Sequence, residues 1–183
     1  MSRSLNPTEL KRLHREWRRQ SDLEVALILD GVQNPFNVGS LFRSAAAYRA
    51  THLWLVPPTP DPTTAKVAKT ALGCERLVTW SVAADGPSAV AAARAAGLIT
   101  IAIELTDDAV PLFDLAVGPK VALVLGHEDR GVHKNTLAAV DHVAFLPQIG
   151  KVGSLNVAQA GTVGLYELAR QRWQADRTGT SPS

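Results

Sequence analysis

Five continuous apolar runs constrain this chain more than any other feature. They are Val25–Leu29, His52–Val56, Leu98–Ile103, Val121–Leu125 and His142–Phe145. None shows the alternation of a half-exposed strand, so each reads as a strand covered on both faces. Helical patterns separate them, at Gly39–Ala50, Thr64–Leu72, Pro87–Ala96, Lys134–Ala139 and Ser154–Trp173. Alternation of this kind predicts an α/β fold, a parallel sheet with helices on both faces. A further helix is predicted near the N-terminus, where Asn6-Pro7-Thr8-Glu9 supplies a cap, a first-turn proline and an acid, and it should run to about Arg19. Residues 1–20 are thus a basic helix, 21–175 one α/β domain, and 176–183, rich in Thr, Gly, Ser and Pro, an expected disordered tail.

At 183 residues the chain can bury a substantial single core. No apolar run approaches the roughly 20 residues that span a bilayer, and the N-terminus lacks the apolar stretch of a signal peptide. The lone cysteine, Cys74, has no partner for an internal disulfide, which suits a reducing, cytoplasmic setting. Net charge is only +2 but unevenly placed. Arg3, Lys11, Arg12, Arg15, Arg18 and Arg19 stand against Glu9 and Glu16 in the first 20 residues. A basic arm on a near-neutral body suits a polyanionic partner, and equally a solvated helix face.

Several familiar sites are excluded. No G-x-G-x-x-G follows the first strand, and Val132-His133 stands where a P-loop needs Lys-Ser/Thr after Gly131. His127, His133 and His142 lack metal-ligand spacing, so no metal is expected. Ser154 lies in Gly153-Ser-Leu-Asn156, not in a hydrolase elbow. What remains is a polar set, Asn34, Asn37, Arg43, Glu128, Ser154 and Asn156, in or beside three segments that follow strands: Asp30–Ser40, Gly126–Gly131 and Pro147–Gly153. Ligands of a parallel sheet bind beyond the carboxyl ends of its strands, so these segments converge on one site. Singly, Asn37 and Asn156 also read as helix caps, Arg43 as a surface cation and Glu128 as a turn acid.

Three ordered motifs carry a family resemblance over roughly Asn6 to Trp173. Asn34-Pro-Phe-Asn37-Val-Gly39-Ser-Leu-Phe-Arg43 resembles N-P-x-N-x-G-x-x-x-R. Leu123-Val-Leu-Gly126-His-Glu128-Asp-Arg-Gly131 resembles L-x-G-x-E-x-x-G, and Leu146-Pro-Gln-Ile149-Gly150-Lys-Val-Gly-Ser154-Leu155-Asn156-Val157 forms the third. The chain resembles the SpoU-type methyltransferases of the SPOUT superfamily, and within them the short TrmH-type tRNA ribose methyltransferases.

That resemblance implies a C-terminal deep trefoil knot, which ordinary topology rules would not suggest. It implies S-adenosylmethionine as methyl donor, with Ile103, Leu125, Gly126, Leu146, Ile149 and Leu155 at the cofactor. Gly126, Gly131, Gly150 and Gly153 then read as points of close backbone approach. It implies methylation of a ribose 2′-hydroxyl, with Arg43 as the key catalytic residue. Neutralising an arginine near pH 7 costs on the order of 7 kcal/mol. A guanidinium that clamps a neighbouring phosphate and lowers the hydroxyl pKa is therefore the easier role. Glu128 and Asn37 would orient Arg43, Ser154 would contact phosphate and Asn156 the ribose. Family members are homodimers with the active site at the knot interface. Lys11, Arg12, Arg15, Arg18 and Arg19, with Arg170, Arg172 and Arg177 of the last helix, would form one track for RNA. The substrate implied is tRNA, with guanosine 18 of the D-loop favoured. The competing readings are a ribosomal RNA ribose methyltransferase, a catalytically silent knotted RNA-binding protein and a generic nucleotide-binding α/β protein. Gln148, where the family often has Met, and Val132, where Leu is common, leave pocket shape and substrate choice open.

Overall fold

A computed structural model describes residues 3–178, with backbone only for 176–178. Seven strands form one sheet: β1 (Glu24–Asp30), β2 (His52–Val56), β3 (Thr79–Val82), β4 (Ile99–Ile103), β5 (Val110–Pro111), β6 (Lys120–Gly126) and β7 (His142–Phe145). Their order is β3-β2-β1-β6-β4-β7-β5, and every neighbouring pair is parallel. Two strands were not expected. β3 is a four-residue edge strand with no buried residue and β5 has only two residues, so neither carries an apolar run.

Six helices accompany the sheet: α1 (Pro7–Arg19), α2 (Pro35–Ala47), α3 (Ala65–Ala71), α4 (Gly86–Ala95), α5 (Lys134–Leu137) and α6 (Val157–Thr178). The unbroken apolar character of the central strands has a direct cause. On β1, Val25, Leu27 and Leu29 face α2 and α6, while Ala26 and Ile28 face α4. On β6, Val121, Leu123 and Leu125 face the first layer and Ala122 and Val124 the second. Both faces are buried, so both sets must be apolar.

Several helix boundaries differ from expectation; α2 and α5 end at Ala47 and Leu137, three and two residues early. α2 begins at Pro35 rather than Gly39, because the Asn34 side chain accepts the Phe36 N–H at 2.9 Å and Pro35 fits the first turn. α6 begins after Asn156, whose Oδ1 accepts from Ala158 N at 3.0 Å and Gln159 N at 3.3 Å. It runs to Thr178, so residues 176–178 of the expected tail are helical; residues 179–183 lie outside the described residues. α1 follows the prediction, with a reciprocal cap in which Asn6 accepts Glu9 N at 3.0 Å and Glu9 accepts Asn6 N at 2.9 Å. No residue of α1 is buried. It meets α6 through Trp17 and Trp173, ring centroids 5.1 Å apart in a tilted arrangement, which makes these rings packing partners.

Candidate active site at the carboxyl edge of the sheet

The carboxyl ends of β1, β4, β6 and β7 bring the three motifs together. β6 ends in Gly126, which pairs in register with Asp30 at the end of β1. The chain then makes a small hairpin in which His127 N donates to Gly131 O at 3.0 Å and Gly131 N to His127 O at 2.9 Å. Asp129 N donates to His127 Nδ1 at 3.0 Å inside it. This closure explains two glycines. A Cβ on Gly126 would run into the backbone of Gly131 and Val132, and Gly131 has φ +67° with the Glu104 carboxylate where its Cβ would stand. At Gly150 and Gly153 an added Cβ would meet nothing, so the expected close approach does not occur within this chain.

Two carboxylates pin the hairpin. Glu128 accepts from Gln33 N at 3.1 Å, Asn34 N at 3.0 Å and Asn37 Nδ2 at 2.8 Å, which ties it to the entry of α2. Desolvation pushes the Glu128 carboxyl upward, but the hydrogen bonds from Asn37 and from the backbone outweigh it and hold the group below the usual glutamate range. On the other side, Glu104 accepts from Val132 N at 2.9 Å and Leu105 N at 3.0 Å. Sequence reasoning passed over Glu104; its position directly after β4 was the available signal.

Asn37 completes the network. It is 8% exposed on the first turn of α2, and its Oδ1 accepts from Asn156 Nδ2 at 3.0 Å. Asn156 therefore caps α6 with one side-chain atom and holds Asn37 with the other. Ser44 and Thr162, oxygen to oxygen 2.6 Å apart, fasten the same two helices farther along. The amino ends of α2 and α6 thus meet beside the hairpin, a favourable setting for anionic groups.

A cavity of about 340 Å³ opens on this edge. Ile103, Leu125, Gly126, Leu146 and Leu155 line it, with Glu104, Glu128 and Ser154 as polar wall. Ile149 is not in the lining and is fully exposed, because Pro147–Asn156 runs as an open loop. Arg43 is exposed on α2 and has no hydrogen bond or ion pair among the described residues. The expected contact of Glu128 with Arg43 is absent there, since Glu128 is occupied by Asn37 and the two backbone amides.

The basic residues divide. Lys11, Arg12, Arg15, Arg18 and Arg19 are all exposed, Arg12 pairing with Glu16 at 3.0 Å. Arg170 is held by Glu167 at 2.6 Å. Arg172 leaves the expected RNA track: it is 4% exposed and donates to both oxygens of Asp22, at 2.9 and 2.8 Å. The side chain of Arg177 lies outside the described residues. Among the described residues no group of three His, Cys, Asp or Glu is placed to hold a metal ion, and no helix is long and apolar enough to cross a membrane.

Fold and site together define an α/β domain of the SPOUT methyltransferase class. It superposes on the SpoU methyltransferase AviRb of Streptomyces viridochromogenes, solved in complex with AdoMet, with TM-score 0.72 and 27% identity over 83% of this chain and 58% of that one. The chain belongs to the SpoU rRNA Methylase family, which matches residues 24–166. It is 32% identical to the tRNA (guanosine(18)-2′-O)-methyltransferase of Escherichia coli K12 over 93% of this chain and 73% of that protein. It is 36% identical to a 23S rRNA (guanosine-2′-O-)-methyltransferase of a Burkholderia species over 80% of this chain and 59% of that one. Against several curated relatives the chain spans under two thirds of their length, 56% and 59% in two cases.

Proposed function

We propose that this chain methylates the 2′-hydroxyl of an RNA ribose, with S-adenosylmethionine as donor and tRNA as substrate. The observation that carries the reading is the network in which Asn37 joins Asn156 to Glu128, a residue of the cavity wall. The cavity's volume falls within the roughly 300–1,000 Å³ of small-molecule sites, and its mix of aliphatic wall and carboxylates fits a nucleoside with a cationic sulfur. Ile103, Leu125, Gly126, Leu146 and Leu155 would hold it. When bound, S-adenosylmethionine would supply an electrophilic methyl carbon for the ribose 2′-oxygen, with S-adenosylhomocysteine as the leaving group and the hydroxyl proton passing to water.

The remaining work falls to the chain's own side chains. Arg43, exposed and uncommitted among the described residues, clamps the phosphate beside the target ribose and favours the alkoxide form of the hydroxyl. Asn37 and Glu128 hold the α2 entry rigid, so that Arg43 projects from a fixed helix. Ser154 contacts phosphate, and Asn156 sets Asn37 and faces the ribose. Basic side chains of α1 supply the salt-sensitive attraction for RNA. The homodimer and the knot implied by the resemblance, and the cytoplasmic setting that the lone Cys74 suits, belong to the same proposal.

For the substrate, the E. coli tRNA enzyme aligns with nearly the whole of this chain and most of its own length, which supports tRNA and guanosine 18. The higher identity to a 23S rRNA enzyme favours the second reading, ribosomal RNA. Tritiated methyl transfer from S-adenosylmethionine to tRNA and ribosomal RNA pools, with mapping of alkali-resistant linkages, decides between them. Label in tRNA at one ribose, abolished by Arg43→Ala, is the expected result. Label in neither pool, or full activity of Arg43→Ala, overturns the proposal.

A further inference from the structure

α2 contains two phenylalanines and treats them oppositely. Phe42 is fully buried against the sheet, whereas Phe36 is 53% exposed on the first turn. The backbone that carries Phe36 is not a frayed end. Pro35 precedes it, its own N–H is capped by Asn34 at 2.9 Å, and its neighbour Asn37 is locked to Glu128 and Asn156. A large apolar ring thus stands in solvent on an anchored stretch of backbone, one residue from the network that reaches the cavity wall at Glu128.

Helical spacing adds a second observation. Phe36, Ser40 and Arg43 stand at i, i+4 and i+7 and share one face of α2, and both Phe36 and Arg43 are exposed on it. Their Cα atoms are about 10 Å apart along the helix axis. A nucleotide presents base, ribose and phosphate in that order. With its phosphate at Arg43 and its base at Phe36, its ribose falls between them, along the face that carries Ser40. Unpaired RNA bases are commonly recognised by stacking on an aromatic ring.

We propose that Phe36 is the stacking platform for the base of the nucleotide being methylated, an inference that rests on the RNA ribose methyltransferase reading above. Stacking of this kind admits any base by its flat face and favours purines by area. Phe36 thus selects for an unpaired, splayed-out nucleotide, while base identity is read elsewhere.

The test uses four variants of the full chain: Phe36→Ala, Phe36→Leu, Phe36→Tyr and Phe36→Trp. Each is measured for kcat/KM with the RNA that the wild type methylates, for S-adenosylmethionine affinity by calorimetry, and for mass by light scattering. Ala and Leu should each lose at least about tenfold in kcat/KM, consistent with the usual worth of one base–aromatic stack. Tyr and Trp should restore activity to within about threefold. Donor affinity and mass should be the same in all four. Leu is the deciding variant, because it keeps apolar bulk and loses only the ring. Leu as active as Trp, or Ala as active as wild type, overturns the platform, and a changed mass in Ala and Leu reassigns the ring to a contact between subunits. A wild-type chain that methylates no RNA is a separate failure, of the activity itself, and takes the platform with it.

Discussion

The side-chain amide of Asn37 donates to Glu128 Oε1 at 2.8 Å across 91 residues of sequence. The bond joins the first turn of α2 to the hairpin after β6, and through Asn37 Oδ1 it reaches Asn156 at the start of α6. Three loops that diverge in the chain are thereby fixed by one side chain that is nearly buried.

Replacing Asn37 by Ala removes one donor from Glu128 and leaves Asn156 Nδ2 without its acceptor. The expected cost is about 1–3 kcal/mol in urea unfolding. Glu128 sits below the usual glutamate range in the folded chain, so it contributes stability above that range and loses it as pH falls through the lowered value. Asn37→Ala should therefore raise the Glu128 titration, read by carboxyl carbon NMR, and shrink the acid-side loss of stability.

Asp141 gives a second pH-dependent contribution, away from the site. Desolvation raises its carboxyl, but Arg94, at 2.7 Å, and the hydroxyl and N–H of Thr100, at 2.6 and 2.8 Å, prevail and bring it from 3.8 to about 2. Its contribution is complete above pH 4 or so and fades as pH falls toward 2. Arg94→Ala should raise this titration, lower stability at pH 7 by about 1 kcal/mol or less because the pair is partly exposed, and shrink the loss of stability between pH 4 and 2.

Arg172 and Asp22 predict an asymmetry. Arg172 is buried and Asp22 is 54% exposed at the side chain. Asp22→Ala leaves a buried guanidinium without its partner and should cost about 3 kcal/mol or more. Arg172→Met leaves a carboxylate that water reaches and should cost clearly less. Thermal unfolding of the two variants checks the order; the reverse order would contradict the packing.

Gly131 and Glu104 should be coupled. Gly131→Ala forces a positive φ on a side chain, a cost of about 1–2 kcal/mol, and drives its Cβ into the Glu104 carboxylate. Glu104→Ala alone strands the Val132 N–H. The double variant should lose less than the sum of the two singles, because removing the carboxylate makes room for the methyl. Strict additivity in denaturant unfolding would show that the clash is relieved by other means.

Much of the architecture was legible because its cause is local. An apolar run flanked by helical patterns has few places to go except a doubly covered parallel strand, and Val25–Leu29 and Val121–Leu125 went there. Caps were equally legible, since Asn6 with Glu9 is a local arrangement. β3 and β5 were not: short edge strands are made by the neighbour that offers hydrogen bonds, as β2 does for β3 and β7 for β5. Nor could sequence tell that Arg172 points inward, because a helical arginine looks the same until a carboxylate from another segment meets it.

The class of fold, the three polar motifs and their convergence on one sheet edge follow from the order of residues alone, because periodicity and chain order act over short distances. What each motif residue does there depends on how the folded segments pack. Packing set Glu128 on the backbone of the α2 entry, Asn37 between two other motifs, Arg43 free among the described residues and Ile149 out of the cavity wall. Those outcomes depend on which donors arrive within about 3 Å of an acceptor, and that is a property of packing between segments some 100 residues apart in the chain.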